Sequence, residues 1–224
     1  MSRRAIHRTP PVIVPTAYAA RAASTPGMAA KASHRPARSQ FLIPHLTDCL
    51  LGYAHRKMGV DYSLGGYLED RRDVWRGSYL NPESAVHVAI DVNVPAGTPV
   101  CLTRPARVAR MDHDPEQNGG WGGVIMFALD QPVGNISHFL YAHLSRQGLK
   151  VKEGDAVRPG VTVGQIGLPD ENGGWYEHIH IQAFTRQAWD KFGGELKNFD
   201  GYAPDPRAAA HPYFPDPMKL LVKA

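Results

Sequence analysis

Three short segments of the chain carry histidines of the kind that bind metal ions or move protons. They read His87-Val88-Ala89-Ile90-Asp91, Tyr141-Ala142-His143 and His178-Ile179-His180. Imidazole nitrogens and carboxylate oxygens are common zinc ligands in proteins. Imidazole also exchanges protons near neutral pH, so a histidine can serve as a general acid or base. These residue types are suited to metal binding and acid–base chemistry, provided that the fold brings the three segments together.

The pair His178 and His180 is predicted to lie on one face of a strand. Alternate residues of a strand point to the same face, and "HIHIQAF" has the composition of a strand. At a rise of about 3.3 Å per residue, their Cα atoms are roughly 7 Å apart, too far for both to ligate one ion well. We therefore expect one histidine to bind a metal while its neighbour faces whatever lies beside that metal.

The spacing of His87 and Asp91 needs a different explanation. A separation of four residues juxtaposes side chains on a helix, but "HVAIDVNVP" is rich in β-branched residues and ends in proline. On a straight strand the two residues would be about 13 Å apart. A shared site therefore requires a bend, with His87 at a loop edge and Asp91 on the strand. Spacing alone does not show that they converge.

The elements that must position these residues are predicted to be short strands. From residue 86 onward, runs such as "GGVIMFAL", "ISHFLYAHL" and "HIHIQAF" alternate with Gly and Pro turns. This spacing favours a mainly β fold, an antiparallel sandwich or barrel-sandwich, over alternating βαβ units. Residues 41–59 predict a helical lead-in that starts after Pro44, with Thr47 or Asp48 near its N-cap. The final "DPMKLLVKA" is expected to form a turn of helix or a strand.

The N-terminal segment differs in composition from the rest. Residues 1–47 contain seven Lys and Arg and no Asp or Glu, whereas residues 48–224 contain 18 basic and 21 acidic residues. An Ala-, Arg-, Ser- and Pro-rich tail over residues 1–40 is compatible with organellar, for example mitochondrial, targeting. It is equally compatible with a disordered or extended arm that docks on a larger protein assembly. It contains no convincing secretory signal, and the localisation stays open.

Composition also argues against two kinds of partner. No run approaches the roughly 18 apolar residues of a membrane span. The mildly acidic body lacks the basic surface that follows phosphates, so we do not expect it to bind nucleic acid. The two cysteines, Cys49 and Cys101, lack metal-site spacing. We interpret them as small buried hydrophobic residues, although they could pair.

Four ordered segments resemble the lysostaphin-like zinc endopeptidases. They are "HVAIDVNVPAGTPV", "YAHL", "GLKVKEGDAVRPGVTVGQIG" and "HIHIQ". The family shows His-x-Gly-x-Asp, Tyr-x-His-Leu, a Gly-rich hairpin stretch and His-x-His in that order. The resemblance covers about residues 85–222, and its four ordered elements make it far more specific than a single His-x-His.

The resemblance implies a role for each histidine segment. His87, Asp91 and His180 would ligate one zinc ion, and three protein ligands leave the fourth tetrahedral position open for water. His143 and His178 would stand beside the ion and handle the attacking water by proton transfer or hydrogen bonding.

Tyr141 could assist these histidines or simply pack beside its strand. The family's usual Gly in the first motif is Ala89 here, and its usual aromatic after His-x-His is Ile181. The loop "LPDENGGWYE" also differs from the Thr- and Ser-bearing loop of many wall-degrading members. These departures leave the substrate open, since every ligand-type residue is present.

The expected function is therefore a zinc-dependent endopeptidase that hydrolyses a peptide amide bond, with peptidoglycan-type cross-links as one candidate substrate. The alternative is a non-catalytic structural or assembly subunit built on a former metallopeptidase domain. The expected organisation is a basic tail over residues 1–40, a helical and irregular lead-in over 41–84, and the metallopeptidase core over 85–224. A biotinyl-type carrier is disfavoured because Lys150 and Lys152 of the hairpin stretch do not lie in the expected Met-Lys turn, and a phosphocarrier is disfavoured by Asp91.

Overall fold

The fold is built on one large antiparallel sheet, in a computed structural model that describes residues 43–71, 84–203 and 213–221. The strands are β1 (Ser63–Gly65), β2 (Val86–His87), β3 (Ile90–Asn93), β4 (Pro99–Cys101), β5 (Ala106–Asp114), β6 (Gly122–Val133), β7 (Ile136–Leu144), β8 (Ala156–Val157), β9 (Thr162–Gln165), β10 (His178–Phe184) and β11 (Tyr202–Ala203). The main sheet has the order β1-β3-β10-β7-β6-β5-β8, and two smaller sheets pair β11 with β2 and β4 with β9. The predicted mainly β, antiparallel fold is confirmed. The expected tail over residues 1–40 lies outside the described residues.

The described helices are few and short. They are α1 (Ile43–Met58), α2 (Arg186–Phe192) and α3 (Met218–Leu221), with 3₁₀ turns at Arg146–Gly148 and Leu196–Asn198. The predicted lead-in helix is present, but it begins at Ile43 and includes Pro44. Proline is tolerated in a first helical turn, because an N–H there would have no partner within the helix. Within the described part of the chain, no helix is long and apolar enough to cross a membrane.

Strand alternation divides the main sheet into a core face and a site face. On β10, Ile179 and Ile181 belong to the main hydrophobic core, together with Ile90 of β3. That core continues into the β4–β9 pair and reaches Leu220 of α3. The opposite face of β10 carries the two histidines and, at its end, Phe184 in a second core beneath α2. The main core therefore stabilises the sheet from one side and leaves part of the other side for chemistry.

A β-bulge interrupts β7 at His143. Tyr141 is paired with Ile125 of β6 and Leu144 with Gly123, so two residues of β7 oppose a single residue between those pairs. His143 has φ = +63°, in the left-handed region that non-glycine residues seldom adopt. Bulges of this kind change the direction of a side chain and are frequent beside functional sites. The imidazole of His143 consequently lies on the site face instead of beside Tyr141.

Helix α1 is joined to the sheet near the site. Oδ1 of Asp48 accepts a 2.8 Å hydrogen bond from the backbone N–H of Glu177, the residue just before β10. Nε2 of His55 lies 2.9 Å from Oγ of Ser63 in β1. The lead-in helix is therefore tied both to an edge strand and to the start of the strand that carries the His-x-His pair.

The two cysteines are free and lie in different environments. Cys101 is buried in β4, as expected for a small hydrophobic residue. Cys49 is exposed on α1, so its interpretation as a buried residue was wrong. The sequence around it predicts a helix but does not determine which side of that helix packs against the body.

Candidate metal centre and active-site pocket

The break between β2 and β3 brings His87 and Asp91 into one site. β2 pairs with β11 in a small sheet, whereas β3 runs in the main sheet, and two residues between them belong to neither strand. Asp91 is directly paired with His180 across β3 and β10. Residues paired in this way share one face of a sheet. The structure therefore contains the bend that the spacing requires.

Three buried atoms from these residues form a nearly equilateral triangle. Nε2 of His87 lies 3.4 Å from Oδ1 of Asp91. Nδ1 of His180 lies 3.2 Å from the same oxygen and 3.3 Å from Nε2 of His87. A tetrahedral zinc ion with bonds of about 2.0–2.1 Å requires ligand atoms about 3.3–3.4 Å apart. The triangle therefore has the size of one face of such a tetrahedron.

Hydrogen bonds on the far side of each ring determine which nitrogen faces the triangle. Nδ1 of His87 donates to the backbone oxygen of Gly66 at 3.0 Å. Nε2 of His180 donates to Oε1 of Gln182 at 3.2 Å, and Gln182 in turn donates to the backbone oxygen of Asp200. The nitrogens that face inward therefore carry lone pairs, beside a carboxylate oxygen. Three buried acceptors with no donor among them suit a divalent cation. The hydrogen bonds on the far side of each imidazole orient the rings as ligands of such an ion.

The protonation states also suit a metal. Burial lowers the pKa of His87 to about 4, in spite of the nearby carboxylate. Burial alone would raise the pKa of Asp91, but His87 and the Arg71 guanidinium hold it well below its ordinary value. Metal ligation requires neutral imidazole and ionised carboxylate. Both forms are therefore favoured at neutral pH.

His143 and His178 stand beside the triangle. Their ring centroids are 4.5 Å apart, and Nε2 of His178 lies 3.7 Å from Oδ1 of Asp91. Nδ1 of each ring donates a 2.7 Å hydrogen bond to a backbone oxygen, that of Asn172 for His143 and that of Tyr176 for His178. Burial lowers the pKa of both rings, and neighbouring histidines lower that of His143 further. The neutral form of each ring is therefore favoured at neutral pH, with the lone pair on Nε2.

Tyr141 is not brought to this site. It is 3% exposed and lies in the main core, with its ring edge-on to Phe127 at 5.5 Å and beside Phe139 at 5.3 Å. The expectation of a catalytic hydroxyl is corrected to a packing role. Regular alternation would have placed Tyr141 and His143 on one face, and the bulge separates them.

A pocket of about 160 Å³ opens over the site, and Asp91, His143, His178 and His180 line it. Trp121 and Trp175 lie on its walls, with the ring of Trp121 edge-on to that of His180 at 5.4 Å. The loops 115–121 and 166–177 meet backbone to backbone, through Gly119 N–H donating to the oxygen of Gly173 at 3.0 Å. A Cβ on Gly173 would lie 2.1 Å from a backbone oxygen of the facing loop, so only glycine permits this contact.

Three residues of the site were not among those expected from the sequence. Arg71 is 5% exposed, and its Nη1 lies 2.7 Å from Oδ2 of Asp91. Gln182 supports His180, while Tyr202 lines the pocket beside His87, with ring centroids 5.5 Å apart. Strand alternation points to Gln182, two residues after His180. No pattern in the sequence connects Arg71 or Tyr202 to the motifs.

Comparison with known proteins gives one family match. Residues 85–190 match the model of peptidase family M23. Among solved structures, the chain is similar to the catalytic domain of the prophage-encoded M23 protein EnpA from Enterococcus faecalis, with 22% identity, 56% of this chain and 82% of that chain covered, and a TM-score of 0.42.

Two further solved structures are similar to the chain at about the same identity and TM-score. The lysostaphin catalytic domain from Staphylococcus simulans is 21% identical over 66% of this chain and 90% of that one, with a TM-score of 0.42. A zinc-containing peptidase from Vibrio cholerae is 19% identical over 56% and 34%, with a TM-score of 0.41. No curated protein matches the chain. Because these identities and TM-scores are low, they show no more than similarity, and only the match of residues 85–190 to the family model bears on the family.

Proposed function

We propose, from the match of residues 85–190 to the model of peptidase family M23, that the chain is a zinc-dependent endopeptidase that hydrolyses a peptide amide bond. The observation that carries the proposal is the buried triangle of acceptor atoms from His87, Asp91 and His180. These three residues would hold zinc. When bound, zinc activates a water molecule for attack and polarises the scissile carbonyl group.

The two neighbouring histidines supply the proton transfers in this proposal. Their hydrogen bonds to backbone oxygens hold the rings with Nε2 free. His178, whose Nε2 is close to Oδ1 of Asp91, would accept the proton of the attacking water at Nε2. It would then donate that proton to the amide nitrogen as the bond breaks. His143, whose Nε2 also carries a lone pair, would accept a hydrogen bond from the same water and hold it in place for proton transfer to His178.

The pocket favours a narrow peptide as the substrate. Trp121 and Trp175 provide flat apolar walls, and Gly119, Gly120 and Gly201 expose backbone to the same space. A groove of this kind suits an extended chain with small side chains, which would pair with the backbone groups. Such chains occur in peptidoglycan-type cross-links, which we propose as the substrate class.

The retained histidines argue for an enzyme over a non-catalytic assembly subunit. A subunit of that kind could keep the triangle as a structural metal site without His143 or His178. Both of these side chains are nevertheless buried and hydrogen-bonded beside the triangle, and His143 adopts an unfavourable backbone conformation. Unfavourable backbone conformations persist where function requires them.

Cleavage assays test the proposal. Zinc-loaded protein is incubated with a panel of peptidoglycans and cross-link peptides, beside the variants His178→Ala and His143→Ala. His113→Ala, which changes a histidine of β5 that does not line the pocket, is the matched control. Cleavage by wild type and control but not by the two variants supports the enzyme. Zinc-loaded wild type that cleaves no member of the panel contradicts it and favours the assembly subunit.

A further inference from the structure

Asp91 directs its two carboxylate oxygens to different partners. Oδ1 belongs to the triangle, whereas Oδ2 lies 2.7 Å from Nη1 of Arg71. The Arg71 side chain is 7% exposed and that of Asp91 is 1% exposed. The distance is that of a charge-assisted hydrogen bond, which is roughly twice as strong as a neutral one. One oxygen of the carboxylate is therefore already occupied by the protein.

Three further contacts hold Arg71 in place. Its Nε donates to Oε2 of Glu69 at 3.1 Å, and its Nη1 is 3.4 Å from the hydroxyl of Tyr202. Its backbone N–H donates to the oxygen of Ala85 at 2.9 Å. Nε of the guanidinium is thus held by Glu69, while Nη1 faces Asp91. The single ammonium group of a lysine cannot reproduce this geometry.

The absence of a side chain at Gly65 leaves room for the contact between Arg71 and Asp91. Gly65 is paired with Asp91 across β1 and β3. A Cβ at this position would lie 2.7 Å from Nη2 of Arg71 and 3.3 Å from Oδ2 of Asp91. Any larger residue would push the guanidinium away from the carboxylate, so the small residue and the ion pair belong together.

Charge balance shows that Arg71 does more than neutralise a buried acid. Among the described residues, Arg71 and Asp91 are the only Lys, Arg, Asp or Glu side chains that are buried. Their charges already cancel, so a divalent cation in the triangle would add positive charge next to a fixed guanidinium. Repulsion of that kind weakens metal binding. Beyond keeping Asp91 ionised, Arg71 can favour metal binding only through the orientation that it gives the carboxylate.

We propose that Arg71, which lies before the family-matched segment, is a positioning residue for the metal centre. It engages Oδ2 of Asp91, so only Oδ1 is free to ligate the ion and one coordination position stays open for water. This inference rests on the zinc site of the proposed function. It assigns a role to a residue that does not touch the ion or the substrate.

The direction in which zinc affinity changes when Arg71 is replaced distinguishes a positioning role from a pure charge effect. Zinc is titrated against a competing chelator for wild type, Arg71→Met and Arg186→Met, the last removing an exposed arginine paired with Asp190. Loss of positioning predicts binding about 10–100-fold weaker in Arg71→Met, the usual effect of losing a residue that orients a ligand. Loss of charge alone predicts tighter binding. Unchanged or tighter binding in Arg71→Met therefore overturns the inference.

Cobalt substitution gives a second readout that does not depend on activity. If Oδ2 of Asp91 is freed, the carboxylate can bind through both oxygens, and the higher coordination number weakens the visible absorption of Co²⁺. We expect this change in Arg71→Met but not in Arg186→Met. An identical cobalt spectrum in all three proteins contradicts the inference.

Two further variants keep the test decisive if Arg71→Met fails to fold, as judged by circular dichroism. Arg71→Lys keeps the charge but loses the fork, so zinc binding should still be weaker than in wild type. Glu69→Gln removes the ion pair between Glu69 and Nε of Arg71 but leaves the pair of Arg71 with Asp91, so a smaller loss of zinc affinity is expected. Wild-type affinity in both would overturn the inference. If wild type itself binds no zinc, the proposed function fails instead, which the same titration reveals.

Discussion

Tyr141 and His143 are two residues apart on one strand, yet they lie on opposite faces of the sheet. Tyr141 packs in the main core, and His143 lies beside His178 at the pocket. The β-bulge and the left-handed backbone of His143 produce this inversion. The unfavourable backbone conformation of His143 thus places a third histidine on the site face of the sheet, beside His178 and His180.

This conformation predicts an unusual order of stability among variants at position 143. A left-handed conformation disfavours residues with a Cβ by about 1–2 kcal/mol. His143→Gly should therefore be more stable than His143→Ala by about 1 kcal/mol, measured by urea denaturation. Ala142→Gly, at a neighbouring position with an ordinary φ, is the control and should be destabilising. Equal stability of the two variants at position 143 would argue against the strain.

Metal content should separate the triangle from its neighbours. Asp91→Asn removes a charged ligand while keeping the size of the side chain, and we expect it to lose most of its zinc. His143→Ala should retain about one zinc per chain, since its ring stands beside the triangle. Elemental analysis of the purified variants provides the measurement. Equal loss of zinc in both would remove the distinction between ligands and acid–base histidines.

Kinetics of the double variant test whether the two neighbouring histidines act on one water. His143→Ala and His178→Ala should each reduce the rate by about 10²–10⁴-fold. Residues that act as a unit show strongly non-additive losses, so the double variant should be little slower than the slower single variant. A peptide that wild type cleaves serves as the substrate. A loss equal to the product of both single losses would indicate independent roles.

His138 predicts a pH-dependent part of the stability that is separate from the metal site. Its ring stacks on Trp189 at 4.1 Å, and burial, assisted by Arg186, lowers its pKa from 6.5 to about 4. Between these values the unfolded chain binds a proton that the native protein does not. The free energy of unfolding therefore falls as the pH drops from 6.5 to 4.

His138→Phe keeps an aromatic ring against Trp189 but cannot titrate. The thermal midpoint of this variant should fall less than that of wild type between pH 7 and pH 4.5, with both proteins measured free of metal. His113→Phe is a control, because it changes a histidine outside this stack. A parallel decline in wild type and His138→Phe would show that protonation of His138 does not limit stability in acid.

Much of the fold could be predicted from the sequence because its signals are local. Alternating β-branched runs predicted the strands, and the i, i+2 relation placed His178 and His180 on one face. The need for a bend before Asp91 followed from the rise of a strand. Each of these arguments uses only neighbouring residues and standard backbone geometry.

The remaining features depend on contacts between distant segments. Arg71 and Tyr202 reach the site from parts of the chain without a motif, and their partners are known only from the folded structure. The misplaced role of Tyr141 has a different origin. A bulge adds one residue to a strand, and no residue type at positions 142 or 143 marks it in advance.

The two faces of β10 make this strand sensitive to changes in its length. Its odd-numbered residues Ile179 and Ile181 maintain the core, and its even-numbered residues His178 and His180 face the pocket. Substitutions of loop residues such as Trp121 and Trp175 can therefore alter the pocket walls while the core is unaffected. A one-residue insertion or deletion within β10 would exchange the two faces and destroy core and chemistry together. Changes of length near the site should therefore occur in the flanking loops and not within β10.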